Sequence, residues 1–298
     1  MNIGIDIGGS HIGIGLVNQN NEIVLKKEHN WSNKEKENIF ESVQTYCKKL
    51  IKEILQENEG IEIQKIGIGF PAANIINGVI NKYGKSIDLP SILSQEFKVP
   101  VYLKNDVKCS AICEKKIGNL KNYDNCLFMT LGTGIGGAYF YKNELVKPNT
   151  FQGFEFGHMI IEKDGRECNC GNKGCFEQYA SMRAFRKKLE ELFGLERITS
   201  DILFELINKK EKIEEINKII DNYLTYLSIG ITNLINIFEP DAICIGGSFS
   251  YYHSLFLDKL KNKIRENLKN RIVPEILVAK FENDAGIIGA SMLENNWK

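Results

Sequence analysis

Apolar and polar positions first alternate in short runs broken by glycine. Ile3-Gly4-Ile5-Asp6-Ile7 and residues 11–17 flank Gly8-Gly9-Ser10, which reads as strand, turn and strand. Asn21-Glu22 marks the next turn and 23–29 a third strand of the same sheet. Positions 39, 40, 43, 47, 50, 51, 54 and 55 are apolar at helical spacing with Lys and Glu opposite, so the pattern predicts a helix over 39–55. A buried strand over 63–70 ends in a turn at Gly67, Gly69 and Pro71, and a short strand over 99–103 ends in Lys104-Asn105-Asp106 before a helix over 107–117. The polar stretch 119–125 reads as a hinge, after which the plan restarts. Strand 125–131 leads into Gly132-Thr133-Gly134-Ile135-Gly136-Gly137, strand 138–141 and a turn at 143–145. Helices follow over 182–193, 200–208 and 213–238, then strand 242–245 with Gly246-Gly247-Ser248, a charged helix over 255–267, strand 275–279 and a small-residue helix from 284. The apolar stripe Ile216, Ile219, Ile220, Tyr223, Leu224, Leu227, Ile231 and Leu234 reads as core, with a homodimer contact as its alternative use.

Composition bounds what such a chain can be. At 298 residues it suits about two domains, and 43% hydrophobic residues can fill two cores. Its 38 Lys and Arg balance 38 Asp and Glu, which gives no basic footprint for nucleic acid or an anionic membrane. No apolar run approaches the ~20 residues of a membrane span, and Met1 leads into a strand instead of a signal peptide, so the expectation is a cytoplasmic protein. With 6 prolines and no Gly/Ser-rich stretch, the domain boundary is expected to be a hinge, not a flexible linker.

Three local patterns point to chemistry. Cys168, Cys170 and Cys175, interleaved with Gly171 and Gly174, follow His158 by ten to seventeen positions and form a Cys3His set suited to tetrahedral Zn2+. The alternative is a loop of ordinary buried thiols. Gly8-Gly9-Ser10 beside Asp6 is either a plain hairpin or a loop whose N–H groups receive a phosphate while Asp6 holds hydrated Mg2+. The second glycine cluster, 132–137, offers the same pair of readings, and two such loops suit a nucleotide clamped by two domains. Asp106 is either the N-cap of its helix or a general base for an alcohol. His29, His253, Cys126 and Cys244 have no evident partners and default to surface or core.

Glu155-Phe156-Gly157-His158, then Cys-x-Cys-Gly-x-x-Gly-Cys-x-Glu from Cys168 to Glu177 and Ser181, closely resembles the signature of the ROK family of repressors, open reading frames and kinases. The resemblance spans nearly the whole chain. It implies an α/β fold of two actin-like (ribonuclease H-like) domains flanking a cleft, with a zinc loop in the second. One domain would hold 1–118, completed by the final helix 284–298; the other would hold 119–283. The resemblance further implies an ATP-dependent sugar kinase in which Asp106 is the catalytic base and Asn105, Asp106, Glu155, His158 and Glu177 bind the sugar. ATP and Mg2+ would be held by Asp6, Gly8, Gly9, Ser10, Gly132, Thr133, Gly134 and Gly136, and the adenosine end by Gly246 and Gly247. His158, Cys168, Cys170 and Cys175 would hold a structural Zn2+. Glucose is the first expected substrate; N-acetylmannosamine, N-acetylglucosamine, fructose and β-glucosides are the alternatives. Repressors of the family carry a helix-turn-helix before the first phosphate loop, which here starts at residue 4, so a kinase is expected. The chain departs from the family pattern at Ser10 and His11, at Pro71-Ala72-Ala73-Asn74, at Asp88-Leu89-Pro90-Ser91-Ile92 and at Val107-Lys108-Cys109. The second and third of these fall on the expected sugar side.

Overall fold

The computed structural model describes residues 1–71, 74–76, 79–82, 85–147 and 154–294. Ala72 and Ala73 of the expected sugar segment, and 295–298 of the expected final helix, lie outside them. The chain forms two compact units. The first holds Met1–Lys121 and the end of the chain from Asn283; the second holds Asn122–Val146 and Phe154–Glu282.

In the first unit β1 (Asn2–Ile7), β2 (His11–Val17) and β3 (Ile23–Asn30) form the antiparallel part of a sheet. The helices α1 (Asn33–Glu37) and α2 (Ile39–Gln56) follow, then β4 (Lys65–Phe70), which pairs parallel with β1. Three strands absent from the sequence reading, β5 (Asn74–Ile76), β6 (Val79–Lys82) and β7 (Lys85–Ile87), make a small antiparallel sheet. Runs of three or four residues are too short to show a period of two. α3 (Leu89–Phe97), β8 (Val101–Asn105) and α4 (Asp106–Lys116) complete the order β3-β2-β1-β4-β8. Asp88 caps α3 by accepting from Ser91 N at 3.0 Å, with Pro90 in the first turn. The departure at 88–92 therefore starts a helix.

Within these strands isoleucine and glycine alternate. Ile3, Ile5, Ile7, Ile12, Ile14, Leu16, Ile66 and Ile68 are fully buried in one cluster with Val43, Cys47, Ile51 and Ile54 of α2. Because successive side chains point to opposite faces, Gly4, Gly13, Gly15 and Gly67 share the other face. The chain's final helix, Ala285–Ser291, lies there. A methyl on Gly4 would overlap the Ile287 carbonyl, one on Gly67 the Ala290 carbonyl, and one on Gly289 the Cys109 carbonyl of α4. Backbone meets backbone, with no side chain between.

The second unit repeats the sheet plan. β9 (Cys126–Leu131), β10 (Ile135–Tyr141) and β11 (Glu144–Leu145) are antiparallel neighbours. The helices α5 (Glu177–Ala180), α6 (Met182–Phe193), α7 (Ser200–Asn208) and α8 (Ile213–Phe238) precede β12 (Ala242–Gly246), α9 (His253–Leu268) and β13 (Glu275–Val278). The order is β11-β10-β9-β12-β13, with β12 parallel to β9 and β13. The stripe on α8 lies in this unit's core, where Ile216, Ile220, Leu224, Leu227, Ile231 and Leu234 are buried. Cys126 and Cys244 are buried too. Among the described residues no helix is long and apolar enough to cross a membrane.

Gly67→Ala is expected to cost about 1–3 kcal/mol or more by forcing the final helix off the sheet, whereas Gly9→Ala, with nothing within 4 Å, should stay within ~0.5 kcal/mol. Urea unfolding midpoints decide this, and equal midpoints for the two variants would contradict the packing argument.

Candidate active site and metal centre

The first unit brings Asp6, Asn105 and Asp106 together at one end of its sheet. Asp6 ends the ladder of β1 with β4, where it stands opposite Gly69, and Asn105 ends β8 opposite Phe70. A Cβ on Gly69 would sit at ordinary contact distance, 3.4 Å from Asp106 Cα and 3.5 Å from the Ile5 carbonyl oxygen, so Gly69 lies between β1 and the start of α4. Burial, and then the Asp106 carboxylate, push the Asp6 carboxyl up to about 7, with Lys26 acting in the opposite sense. Lys26 is itself engaged by Glu28 at 2.7 Å and Asp284 at 2.8 Å. Two carboxylates in this state are a natural seat for a cation, which fits Asp6 as a holder of hydrated Mg2+.

The helix cap falls one residue earlier than the sequence suggested for Asp106. Asn105 is the N-cap of α4, its side chain accepting from Lys108 N at 3.3 Å, and Asp106 is the first helical residue. Asp106 Oδ1 instead accepts from Asn105 Nδ2 at 3.0 Å and from Val107 N at 2.9 Å, which fixes the orientation of its carboxylate. Cys109 lies fully buried beneath, and burial, then Asp6 and Asp106, push its thiol well up. Gly8-Gly9-Ser10 forms the turn between β1 and β2, with His11 Nδ1 3.2 Å from Ser10 Oγ.

In the second unit the glycine-rich loop is shorter than predicted. Only Gly132, Thr133 and Gly134 stand outside the strands, while Gly136 and Gly137 pair with Thr130 and Met129. Glycine lacks a side chain but keeps both backbone partners, so nothing prevents it from joining a ladder. The space above Gly137 is filled by the Phe156 ring, and a Cβ on Gly157 would lie 2.5 Å from the Ile135 carbonyl oxygen. These contacts seat the 3-10 turn Phe156–His158 on β10. Glu155 precedes the turn and is exposed. Gly247, at φ 72°, packs against Leu131 in a left-handed conformation that favours glycine.

His158, Cys168, Cys170 and Cys175 converge, with one ligand atom of each lying within 4.8 Å of all the others. Gly174, at φ 75°, allows the turn that returns Cys175 to the cluster and would clash with the Glu162 carbonyl if it bore a Cβ. Cys170 and Cys175 sulfurs are 3.5 Å apart, and Cys168 Sγ is 3.7 Å from His158 Nδ1. Tetrahedral zinc with Zn–S near 2.3 Å has edges of about 3.7 Å, so the donor set fits. Burial, then the neighbouring thiols, push Cys175 up to about 12, whereas the Asn172 backbone foremost lowers Cys170. Glu177 joins this cluster to the loop: its Oε1 is 3.6 Å from Cys168 Sγ, and a Cβ on Gly134 would lie 2.7 Å from its Oε2.

The ROK family pattern matches residues 2–296. The chain belongs to the ROK family. It is 29% identical to the xylose repressor of Bacillus spizizenii over 98% of this chain and 76% of that protein. It is 30% identical to the beta-glucoside kinase of Listeria monocytogenes over 96% of this chain and 94% of that enzyme. Among solved structures, the ROK family glucokinase from Streptomyces griseus in complex with glucose and AMPPNP matches with a TM-score of 0.81 and 25% identity, over 99% of both chains. ROK relatives thus include both sugar kinases and repressors. The residues that sequence reading missed in this ROK chain are Gly69 and Gly286, the latter so close to Asp6 that a Cβ would overlap its carboxylate. For Gly69 the signal was the alternation of glycine with isoleucine along β4; Gly286, in the final helix, follows no such alternation.

Elemental analysis of protein purified without chelators should find about one zinc per chain, and Cys168→Ser should lower it; absence of zinc in the unmutated protein would remove the metal centre. Asp6 ionises near 3.8 when unfolded and near 7 in the fold, so the stability it contributes is full below about pH 4 and lost as pH rises through 7. Without added Mg2+, Asp6→Asn should therefore raise Tm at pH 8 by roughly 3 °C or more and much less at pH 4. A gain that does not depend on pH would contradict the burial of this carboxyl.

Proposed function

We propose that this protein is an ATP-dependent sugar kinase that phosphorylates the primary hydroxyl of a hexose, glucose first. The observation behind this reading is the pair formed by Asp106, oriented at the start of α4 by two N–H donors, and the buried Asp6 carboxyl opposite Gly69. A base for an alcohol must be fixed within hydrogen-bond reach of the hydroxyl, and a strand end followed by a helix supplies such a fixed point. Asp106 accepts the hydroxyl proton as the sugar oxygen bonds to the γ-phosphorus and the bond to the ADP oxygen breaks. Asn105, Glu155, His158 and Glu177 hold sugar hydroxyls, the carboxylates by accepting from neighbouring pairs. His158 presents Nδ1 to Cys168, which leaves Nε2 for a hydroxyl. Gly8, Gly9, Ser10, Gly132, Thr133, Gly134 and Gly136 receive the phosphates, Gly246 and Gly247 the adenosine end, and Asp6 would hold Mg2+ through water. Bound Mg2+ would neutralise part of the charge on the transferring phosphates. Zinc at the Cys3His set would be structural, fixing His158 and, through Cys168, Glu177.

A β-glucoside is the second reading for the acceptor, favoured by the 30% identity to the Listeria enzyme. A coupled ADP-release assay across hexoses, N-acetylhexosamines and β-glucosides tests both. Strong turnover on one sugar names the acceptor; sugar binding with no turnover on any would make the protein a sensor instead. Asp106→Ala should lower kcat by at least ~10²-fold while the sugar Kd changes little. Unchanged turnover in that variant would remove Asp106 as the base.

A further inference from the structure

The turn Gly8-Gly9-Ser10 is held from behind by a residue that the kinase reading does not use. Trp31, buried at the end of β3, donates its indole N–H to the Gly8 carbonyl at 3.0 Å and its backbone N–H to the Ser10 carbonyl at 2.9 Å. Gly8 N donates to the His11 carbonyl at 2.8 Å. With these three bonds made, the amides of Gly9 and Ser10 have no partner among the described residues. Nothing lies within 4 Å of where a Cβ on Gly9 would be. Unpaired adjacent N–H groups beside open space are what an anion requires of a loop, and the direction of the Gly9 N–H is set by the tied Gly8 carbonyl of the same planar peptide.

The indole is itself fixed. It packs edge-on against His29, with centroids 5.5 Å apart, and against Tyr46 at 5.7 Å, while His29 and Tyr46 stack at 3.7 Å. His29 Nε2 lies 3.0 Å from Glu35 Oε1, and Glu35 Oε2 accepts from Ser32 N and Ser32 Oγ, both at 2.7 Å, closing a capping box at α1. Hydrogen bonds from Tyr46 first, and from Ser32, hold the Glu35 carboxyl at about 2. Glu35 thus anchors the aromatic rings, and the rings anchor the indole that holds the loop.

We propose that Trp31 is the positioning residue of the first phosphate loop: its indole N–H holds the Gly8 carbonyl back and so turns the Gly9 N–H of the same peptide toward the nucleotide's phosphates, while its backbone N–H ties the far end of the loop at the Ser10 carbonyl. The inference rests on the reading of this turn as a phosphate loop. Trp31→Phe keeps the ring and removes the indole donor. Losing one neutral hydrogen bond should weaken binding of AMPPNP with Mg2+ about 3- to 10-fold, with sugar affinity unchanged. Titration calorimetry of the whole protein reads both constants. An unchanged nucleotide Kd would overturn the proposal. A second measurement does not depend on the folding of that variant. In a Trp297→Phe background Trp31 is the sole tryptophan, and its emission should shift on adding AMPPNP with Mg2+ but not on adding phosphate-free adenosine. A silent Trp31 would equally overturn it. Nucleotide binding that weakens in Trp31→Phe, in a protein that turns over no sugar, would sustain this inference while refuting the kinase reading; no nucleotide binding at all would refute both.

Discussion

The final helix meets the first sheet backbone to backbone, and the chemistry of that unit follows from this contact. Gly4 and Gly67 on the strands admit the Ile287 and Ala290 carbonyls, and Gly289 admits the Cys109 carbonyl from α4. Such an approach brings Gly286 against the Asp6 carboxylate and strips it of water. Asp106 begins the same α4 that the helix contacts, so one packing decision sets both the enclosure of Asp6 and the position of its neighbour. The buried charge opposes stability above neutral pH.

The second unit uses the same sheet order for a different end. Where the first unit places isoleucine on one face and glycine on the other, β10 places Gly137 under the Phe156 ring and Ile135 against Gly157. This seats His158 within reach of the three cysteines. Glu177 then lies between Cys168 and Gly134, so the conformation of the cysteine loop and that of the glycine loop are linked through one carboxylate.

Legibility in the sequence followed the range of the interactions. The helices at 182–193, 200–208 and 213–238 were readable to the residue, because their apolar stripes are local, as are the Ser181 and Thr199 caps of the first two. The Cys3His cluster was readable because its four residues lie within one short stretch. β5, β6 and β7 were too short to show a period, and the strand character of Gly136 was hidden because glycine so often marks a turn. The helix start at Asp88, fixed by its bond to Ser91, was hidden in a stretch that departs from the family pattern. The partnership of Asp6 with Asp106 spans a hundred residues, and that of Trp31 with Gly8 depends on an indole proton no pattern records.

The activity proposed for these residues is transfer of a phosphoryl group to a sugar's primary hydroxyl. Phosphorus NMR of the protein incubated with ATP, Mg2+ and glucose, followed by the same experiment with a β-glucoside, addresses it most directly. The expected result is loss of the ATP γ-phosphate signal and growth of a phosphomonoester resonance split into a triplet by the two protons of a primary carbon. Release of inorganic phosphate alone, a doublet from a secondary carbon, or an unchanged ATP spectrum with both sugars would contradict it.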